Sequence, residues 1–340
     1  MISLKKYPNL RPRRNRLDNW GRRLTAENIL TTDDLILPMF IIEGNKKKQE
    51  IQSMPGVFRY SLDLLLVQIE TVLKKNIPLI ALFPKIEQHL KDSTGSEALN
   101  THGIIPKAVS AIKKEFPNLG LMTDIALDPY TSHGQDGLID KNGYVLNDET
   151  VEILKKQALL YAEMGADIVA PSDMMDGRIG EIRSALESQS HPLTRIMAYS
   201  AKYASNFYSP FRDAVGSDRN LTKFDKKNYQ MNPSNSNEAL LEVELDINEG
   251  ADMIMIKPGL PYLDIIQKIK ETFKMPTFAY QVSGEYSMIK AAVLSNFLDE
   301  KKIVMESLTS FKRAGCDGIL SYYALSAADW IKEEGTATQK

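Results

Sequence analysis

Three segments of this chain share one layout, and that repetition limits its fold more than any other feature. YAEMGADIVAPS (161–172), INEGADMIMIKP (247–258) and FKRAGCDGILSY (311–322) each run from the end of a helical stretch through Gly, then Ala or Cys, then Asp, into a β-rich apolar run. Gly165, Gly250 and Gly315 suit a helix C-terminus that turns through positive φ. The apolar runs are nearly continuous instead of alternating, as in parallel strands covered on both faces. The three segments are αβ units.

Reading outward from them yields further strands of the same kind, at 35–43, 77–84, 119–127, 167–173, 196–200, 252–258, 277–283 and 318–324. Amphipathic stretches at 61–75, 104–116, 148–164, 178–190, 237–249, 261–274 and 301–314 lie between most of them. Alternating strands and helices mean a parallel α/β fold. About eight strands in 340 residues favour a (β/α)8 TIM barrel. An open doubly wound sheet stays as the alternative, although no G-x-G-x-x-G follows any strand. The expected organisation is an N-terminal arm over 1–25, a barrel over 26–333 and a polar C-terminal tail over 334–340. The arm holds Pro8 and Pro12 among six arginines with little apolar periodicity. It is either a solvated extension or a segment that packs on another subunit.

Composition removes several function classes. Lys+Arg 42 against Asp+Glu 44 gives a net charge of -2, which suggests neither a nucleic-acid nor a membrane-surface partner. No apolar run is long enough to span a bilayer. The basic N-terminus lacks the apolar core of a secretory signal, and a cytoplasmic protein is the simplest expectation. The single cysteine, Cys316, excludes an intrachain disulfide and a cysteine-rich zinc site, and it reads as a small core residue. Of the four histidines, His133 falls in a polar loop whose Gly134 and Gly137 suit a lid; none shows ligand spacing.

Barrel enzymes carry their chemistry at the C-terminal ends of the strands. Asp124, Ser172, Asp173, Lys257, Ser283 and Tyr322 fall at such ends, and Lys202 follows the fifth strand by two residues. Lys257 closes four apolar residues, so burial there lowers its proton affinity and populates the neutral amine that attacks a ketone. A second ammonium nearby, from Lys202, would lower it further. The alternative is that both lysines reach solvent at strand ends. Spacing alone does not decide between them.

Several long segments decide more. MAYSAKYASNFYSPFRDA and MIKPGLPYLDI resemble the two lysine segments of the porphobilinogen synthase family. The likeness extends to RPRRNR near the start, MPGV at 54–57, DPYTSHGQDG at 128–137, APSDMMDG at 170–177, YQMNPSN at 229–235, AYQVSGEYSMIK at 279–290 and ESLTSFKRAGCDGILSYYA at 306–324. The resemblance implies an early step of tetrapyrrole (heme) synthesis, in which two 5-aminolevulinate molecules condense through lysine Schiff bases with loss of two waters. It implies that Lys257 takes the propionate-side substrate, with Ser283 and Tyr322 on its carboxylate. Lys202 takes the acetate-side substrate, with Arg212, Lys226 and Gln230 at its carboxylate and Ser172 at the site. Asp124 is the acid–base candidate. Lys226 stands where some relatives have arginine, a point charge in place of a two-pronged donor.

Zinc-dependent relatives carry three cysteines where this chain has Ala126, Asp128 and Asp136. Carboxylates suit magnesium or no tight metal, so the expectation is no catalytic zinc. The resemblance implies instead an activating Mg2+ away from the site at Glu242, with Arg14 or a neighbour in another subunit's arm close by, and a homo-octamer in which the arm wraps a neighbouring barrel. Asp128 and Asp136 are expected to order their loop by hydrogen bonds. Two rivals remain: another lysine-dependent barrel such as a class I aldolase, and a catalytically dead barrel kept as a scaffold.

Overall fold

The structure, a computed structural model, describes residues 6–216 and 225–337, with side chains through Glu334. Eight parallel strands run in chain order: β1 (Leu35–Ile42), β2 (Leu79–Lys85), β3 (Gly120–Ile125), β4 (Ile168–Pro171), β5 (Arg195–Lys202), β6 (Met253–Lys257), β7 (Thr277–Gln281) and β8 (Gly318–Ser321). Each pairs with the next, and β8 returns to β1 through Leu35↔Ile319 and Ile36↔Leu320, which closes the barrel. The open-sheet alternative is thereby excluded. Eight residues of β1 are buried without a break, the signature of a strand covered on both faces.

Helices α1 (Leu62–Lys74), α2 (Ile104–Glu115), α3 (Asn147–Glu163), α4 (Arg178–Ser188), α5 (Ser209–Val215), α6 (Asn237–Asn248), α7 (Leu263–Phe273), α8 (Ser283–Leu294), α9 (Glu300–Arg313) and α10 (Ala324–Ala337) surround the strands or lie at their mouth. Helices α5, α8 and α10 were not among the expected stretches. In α8 the buried side is Ser283, Glu285, Tyr286 and Ile289, a mixed set that carries no clean apolar stripe. Helix α10 continues to Ala337, past the point where the polar tail was expected to begin. The arm carries two short helical pieces, Pro12–Arg16 and Asn19–Leu24, whose only buried residue is Gly21.

The tripled sequence layout has one physical cause. The Asp of each unit reaches back to the neighbouring strand and accepts an N–H from its first or second residue: Asp167 from Leu121 at 2.8 Å, Asp252 from Ile196 at 2.7 Å, Asp317 from Thr277 at 2.7 Å. A basic residue from the preceding helix joins each carboxylate: Lys113 at 2.8 Å, Arg183 at 3.7 Å, Lys270 at 2.6 Å. The stem of that same residue crosses the glycine. A Cβ would lie 3.4 Å from the Lys113 stem at Gly165, 2.9 Å from Arg183 at Gly250 and 2.8 Å from Lys270 at Gly315, and all three glycines have φ between +101° and +105°. Glycine is required twice over, for its backbone angle and for the side chain passing above it.

Replacing these glycines tests that reading. Gly315→Ala should destabilise the fold by about 1–3 kcal/mol in urea titrations, from the forbidden backbone angle plus displacement of Lys270. Gly165→Ala, with ordinary room beside Lys113, should cost less. Equal costs would show that the side-chain crossing contributes nothing.

Candidate active site

The C-terminal ends of β5 and β6 bring the two lysines into register. Lys202 pairs with Lys257 across the ladder, and Ala201 with Ile256. Between Ala198 and Ala201 strand β5 holds one residue more than β6, a bulge that re-aims everything after it. The sequence placed the end of this strand at Ser200; it continues through Ser200 to Lys202, so that lysine is a strand residue. Both side chains are buried.

Their surroundings differ sharply. Lys257 Nζ sits among four aromatic rings, with centroids of Tyr280, Phe211, Tyr199 and Tyr208 at 4.9, 5.0, 5.2 and 5.2 Å. Ring faces return up to about 2 kcal/mol to a desolvated ammonium. That is less than the several kcal/mol an ammonium loses on leaving water. Burial, with the Lys202 charge beside it, therefore pushes Lys257 down to about 7 from 10.5. Lys202 is the opposite case. Its Nζ donates to Asp136 Oδ1 at 3.1 Å and to the Ser172 carbonyl. Burial alone would lower its proton affinity, but Asp136, Asp128 and Asp124 outweigh burial and raise it.

Asp136 is the anion that organises this wall. Besides Lys202 it takes Lys226 Nζ at 2.6 Å, and the Tyr229 hydroxyl lies 2.6 Å from its Oδ2. Burial opposes its charge, yet the two lysines hold its carboxyl well below the usual range. Lys226 also lies 3.7 Å from Asp128. Asp136 therefore has an ammonium on each oxygen, and Asp128 shares one of those two lysines. Asp124 lies between the lysines with Oδ1 sealed off and unpartnered. Burial raises it to about 7 against the pull of Lys257. The Ser172 hydroxyl is hydrogen-bonded to it.

One cavity is lined by Asp124, Ser172, Lys202, Arg212, Lys226, Gln230 and Lys257, so seven of the expected site residues meet at one place. Arg212 and Phe211 reach it from the seven-residue α5. Ser283 and Tyr322 do not line this cavity. Both lie just past their strands, Ser283 at the start of α8. Phe211 screens them: its N–H donates to Ser283 Oγ at 2.9 Å, and its ring is 5.8 Å from Phe40, which stacks on Tyr322 at 6.0 Å. Tyr322 and Tyr280 hydroxyls share a hydrogen bond of 2.6 Å.

Two contributors escaped the sequence reading. Glu285, wholly buried, accepts N–H groups from Val282 at 2.7 Å, Leu260 at 2.6 Å and Gly259 at 3.2 Å, and so ties the turn after Lys257 to the start of α8. Burial raises its carboxyl to about 7. Tyr229 lies within YQMNPSN. Its partners Gln135 and Asp136, like the Gly259 and Leu260 partners of Glu285, come from distant segments; only Val282, three residues before Glu285, is local. Glu242 lies elsewhere, in a second cavity with Glu238, Asp176, Tyr144, Asn147 and Tyr229, and this cavity shares Gln230 as a wall with the first. Burial, and beyond it Asp246, Asp176 and Glu238, raise Glu242 to about 7 against Arg178. No group of three or more His, Cys, Asp or Glu is placed to hold a metal among the described residues, and no described helix is long and apolar enough to cross a membrane.

Comparison with known proteins agrees across nearly the whole chain. Residues 9–330 match the family described as delta-aminolevulinic acid dehydratase. A delta-aminolevulinic acid dehydratase of Bradyrhizobium diazoefficiens is 57% identical over 96% of this chain and 92% of its own. One from Synechocystis is 48% identical over 96% of this chain and 100% of its own. The crystal structure of the Toxoplasma gondii enzyme, in complex with the reaction product porphobilinogen, superposes with a TM-score of 0.95 at 48% identity, covering 97% of this chain and 94% of that one. The chain belongs to the delta-aminolevulinic acid dehydratase family.

Proposed function

We propose how this chain divides the porphobilinogen synthase reaction, the condensation of two 5-aminolevulinate molecules with loss of two waters, among its own residues. The observation that carries the reading is the unequal pair of lysines. Lys257 gives up its proton near neutrality, whereas Lys202 is held charged beside Asp136.

Lys257 is the first nucleophile. Its neutral amine adds to the ketone of the propionate-side substrate, and water leaves as the imine forms. Ser283 and Tyr322 hold that molecule's carboxylate. In the present structure the Ser283 hydroxyl points at the Phe207 carbonyl over a long 3.4 Å, a weak bond that a carboxylate replaces readily. Tyr280 and Tyr322 have two hydroxyl protons and use one between them. The other is free for a carboxylate.

Lys202 takes the acetate-side ketone, with Arg212, Lys226 and Gln230 at its carboxylate. Arrival of that carboxylate gives Lys226 an anionic partner beyond Asp136 and Asp128. Asp124, poised near neutrality between the lysines, takes and returns the protons. Protonated imines withdraw electrons from the adjacent carbon, so a proton leaves it and the carbon–carbon bond forms. The amino group of the propionate-side molecule then adds to the acetate-side imine carbon and displaces Lys202, and Lys257 leaves as the ring double bond forms; the two ketone oxygens have by then left as the two waters. Holding two small molecules against two fixed amines supplies the proximity gain, about 7–11 kcal/mol in well-oriented cases.

Magnesium fits at Glu242. Burial first, and then the neighbouring carboxylates Asp246, Asp176 and Glu238, raise the proton affinity of Glu242, and a hydrated divalent ion held through one or two carboxylates would offset that repulsion. A bound ion would act as an activator outside the reaction, with Arg14 of a neighbouring arm near it. Zinc finds no thiolate at Ala126, Asp128 or Asp136. The arm exposes Tyr7, Leu17, Trp20 and Leu24 to solvent, apolar surface that suits the wrapped homo-octamer. A cytoplasmic location completes the reading.

Two measurements test it. Borohydride trapping with 5-aminolevulinate should label Lys257 and Lys202 in wild type, where an aldolase would show one imine and a scaffold none. Imine formation at Lys257 should rise with pH through about 7, because only the neutral amine attacks. Lys202→Met removes a neighbouring positive charge and should move that rise to higher pH. For the metal, chelated enzyme should gain porphobilinogen-forming activity on adding Mg2+, and Glu242→Gln should abolish the gain while both lysines still trap. Full stimulation in that variant would remove Glu242 from the account.

A further inference from the structure

The MPGV segment, quoted from the sequence without any role, belongs to a hairpin that no step of the chemistry uses. Its strands, Lys48–Glu50 and Phe58–Tyr60, lie in the β1–α1 connection, and the second pairs with β1 through Phe40↔Arg59. Arg59 is 4% exposed, and its guanidinium is turned away from the hairpin toward the end of α5. Nε donates to the Ala214 carbonyl at 2.6 Å, Nη2 to the Asp213 carbonyl at 2.5 Å, and Nη2 lies 3.4 Å from Asp213 Oδ1. Ser53 Oγ donates to Asp213 Oδ2 at 2.6 Å, and Lys91 Nζ donates to the Gly216 carbonyl at 3.0 Å. The hairpin is itself fixed to α8, where Ser287 Oγ donates to the Ser53 carbonyl at 2.7 Å and the Tyr286 hydroxyl to the Pro55 carbonyl at 2.6 Å.

The last carbonyls of a helix lack internal partners and carry its negative end. Two cations from outside satisfy them here. A helix of seven residues does not hold together on its own. Yet α5 carries both Phe211, whose ring is 5.0 Å from Lys257 Nζ and 5.3 Å from Phe83, and Arg212, which lines the cavity. The placement of these side chains therefore depends on how the C-terminus of α5 is gripped.

We infer that Arg59 is a positioning residue of the active site, holding α5 by its terminal carbonyls so that Phe211 and Arg212 stay over the two lysines. For Arg212 this rests on the carboxylate role proposed above; for Phe211 it rests on the ring beside Lys257. Without the grip, α5 loosens, water reaches Lys257 and its proton affinity returns toward that of an ordinary lysine. The fault appears in the chemistry of a lysine that Arg59 never touches.

The test compares Arg59→Ala, Arg59→Lys and Asp213→Ala with wild type, reading kcat and KM for 5-aminolevulinate and the pH midpoint of borohydride trapping at Lys257. Misplacing substrate-positioning groups by an ångström costs up to roughly 100-fold, so Arg59→Ala should lose about 10- to 100-fold in kcat/KM with its midpoint moved upward. Arg59→Lys should recover part of both. Asp213→Ala, which loses only the partly exposed side-chain arm of the grip, should lose about two- to fivefold. Methylguanidinium should restore activity to Arg59→Ala by entering the cavity that Arg59 shares with Lys85 and Glu87. Wild-type kcat/KM and midpoint in a folded Arg59→Ala overturn the inference. If that variant does not fold, wild-type values in both Arg59→Lys and Asp213→Ala overturn it instead. Wild-type protein that traps nothing at Lys257 would sink the reading of the two lysines, while kcat/KM of the variants still decides the role of Arg59.

Discussion

Two ammonium-bearing side chains are delivered to the same buried end of a barrel by neighbouring strands, and the rest of the site answers that constraint. Two like charges side by side out of water are unfavourable, and the protein resolves the conflict by making them unequal. Lys202 receives a carboxylate and a carbonyl and keeps its proton. Lys257 receives four aromatic rings and gives its proton up. An amine that is neutral near pH 7 and an ammonium that is not are what stepwise imine chemistry on two identical substrates needs.

The anions are distributed to keep that inequality. Asp136 is committed to Lys202, Lys226 and Tyr229, so its charge is spent on the wall away from Lys257. Asp124 is left between the lysines with an unpartnered oxygen, a costly arrangement in a folded protein and a useful one for a proton carrier. Lys226 also lies 3.7 Å from Asp128, so the loop that carries both carboxylates is tied to the barrel mouth by ion pairs.

The frame that supports these groups is held by buried polar contacts between distant segments. Glu285 collects two N–H groups from the turn after Lys257 and one from Val282 at the start of α8. Arg178 is clamped by Asp246, its Nη1 3.1 Å from Oδ1, and so fixes α4 to α6. Arg59 and Lys91 cap α5. Glu285, Arg59 and Lys91 close open backbone groups and Arg178 pairs a buried carboxylate, so a single loss leaves buried polar groups unsatisfied.

The sequence by itself determined a parallel α/β fold and favoured the barrel; the pairing of β8 with β1 decided it. Continuous apolar strands, amphipathic helices and the Gly-x-Asp junctions are local, and each junction's glycine, aspartate and strand lie within a few residues of one another. The sequence also marked Lys257 as a candidate, because the lysine closes four apolar residues; that it is buried is decided by the structure. It could not show the bulge that carries β5 on to Lys202, since a bulge is a relation between two strands and not a property of either. Nor could it show that Phe211 stands between the lysines and the pair Ser283 and Tyr322, or that Arg59 reaches 155 positions along the chain to Ala214. Helix α8 was missed for the same reason: its buried face serves the site instead of an apolar core, so its residues are mixed. Periodicity reports burial against a uniform apolar neighbour. Charge pairing, capping and the unequal proton affinities of two lysines depend on which distant groups meet, and only the tertiary structure decides that.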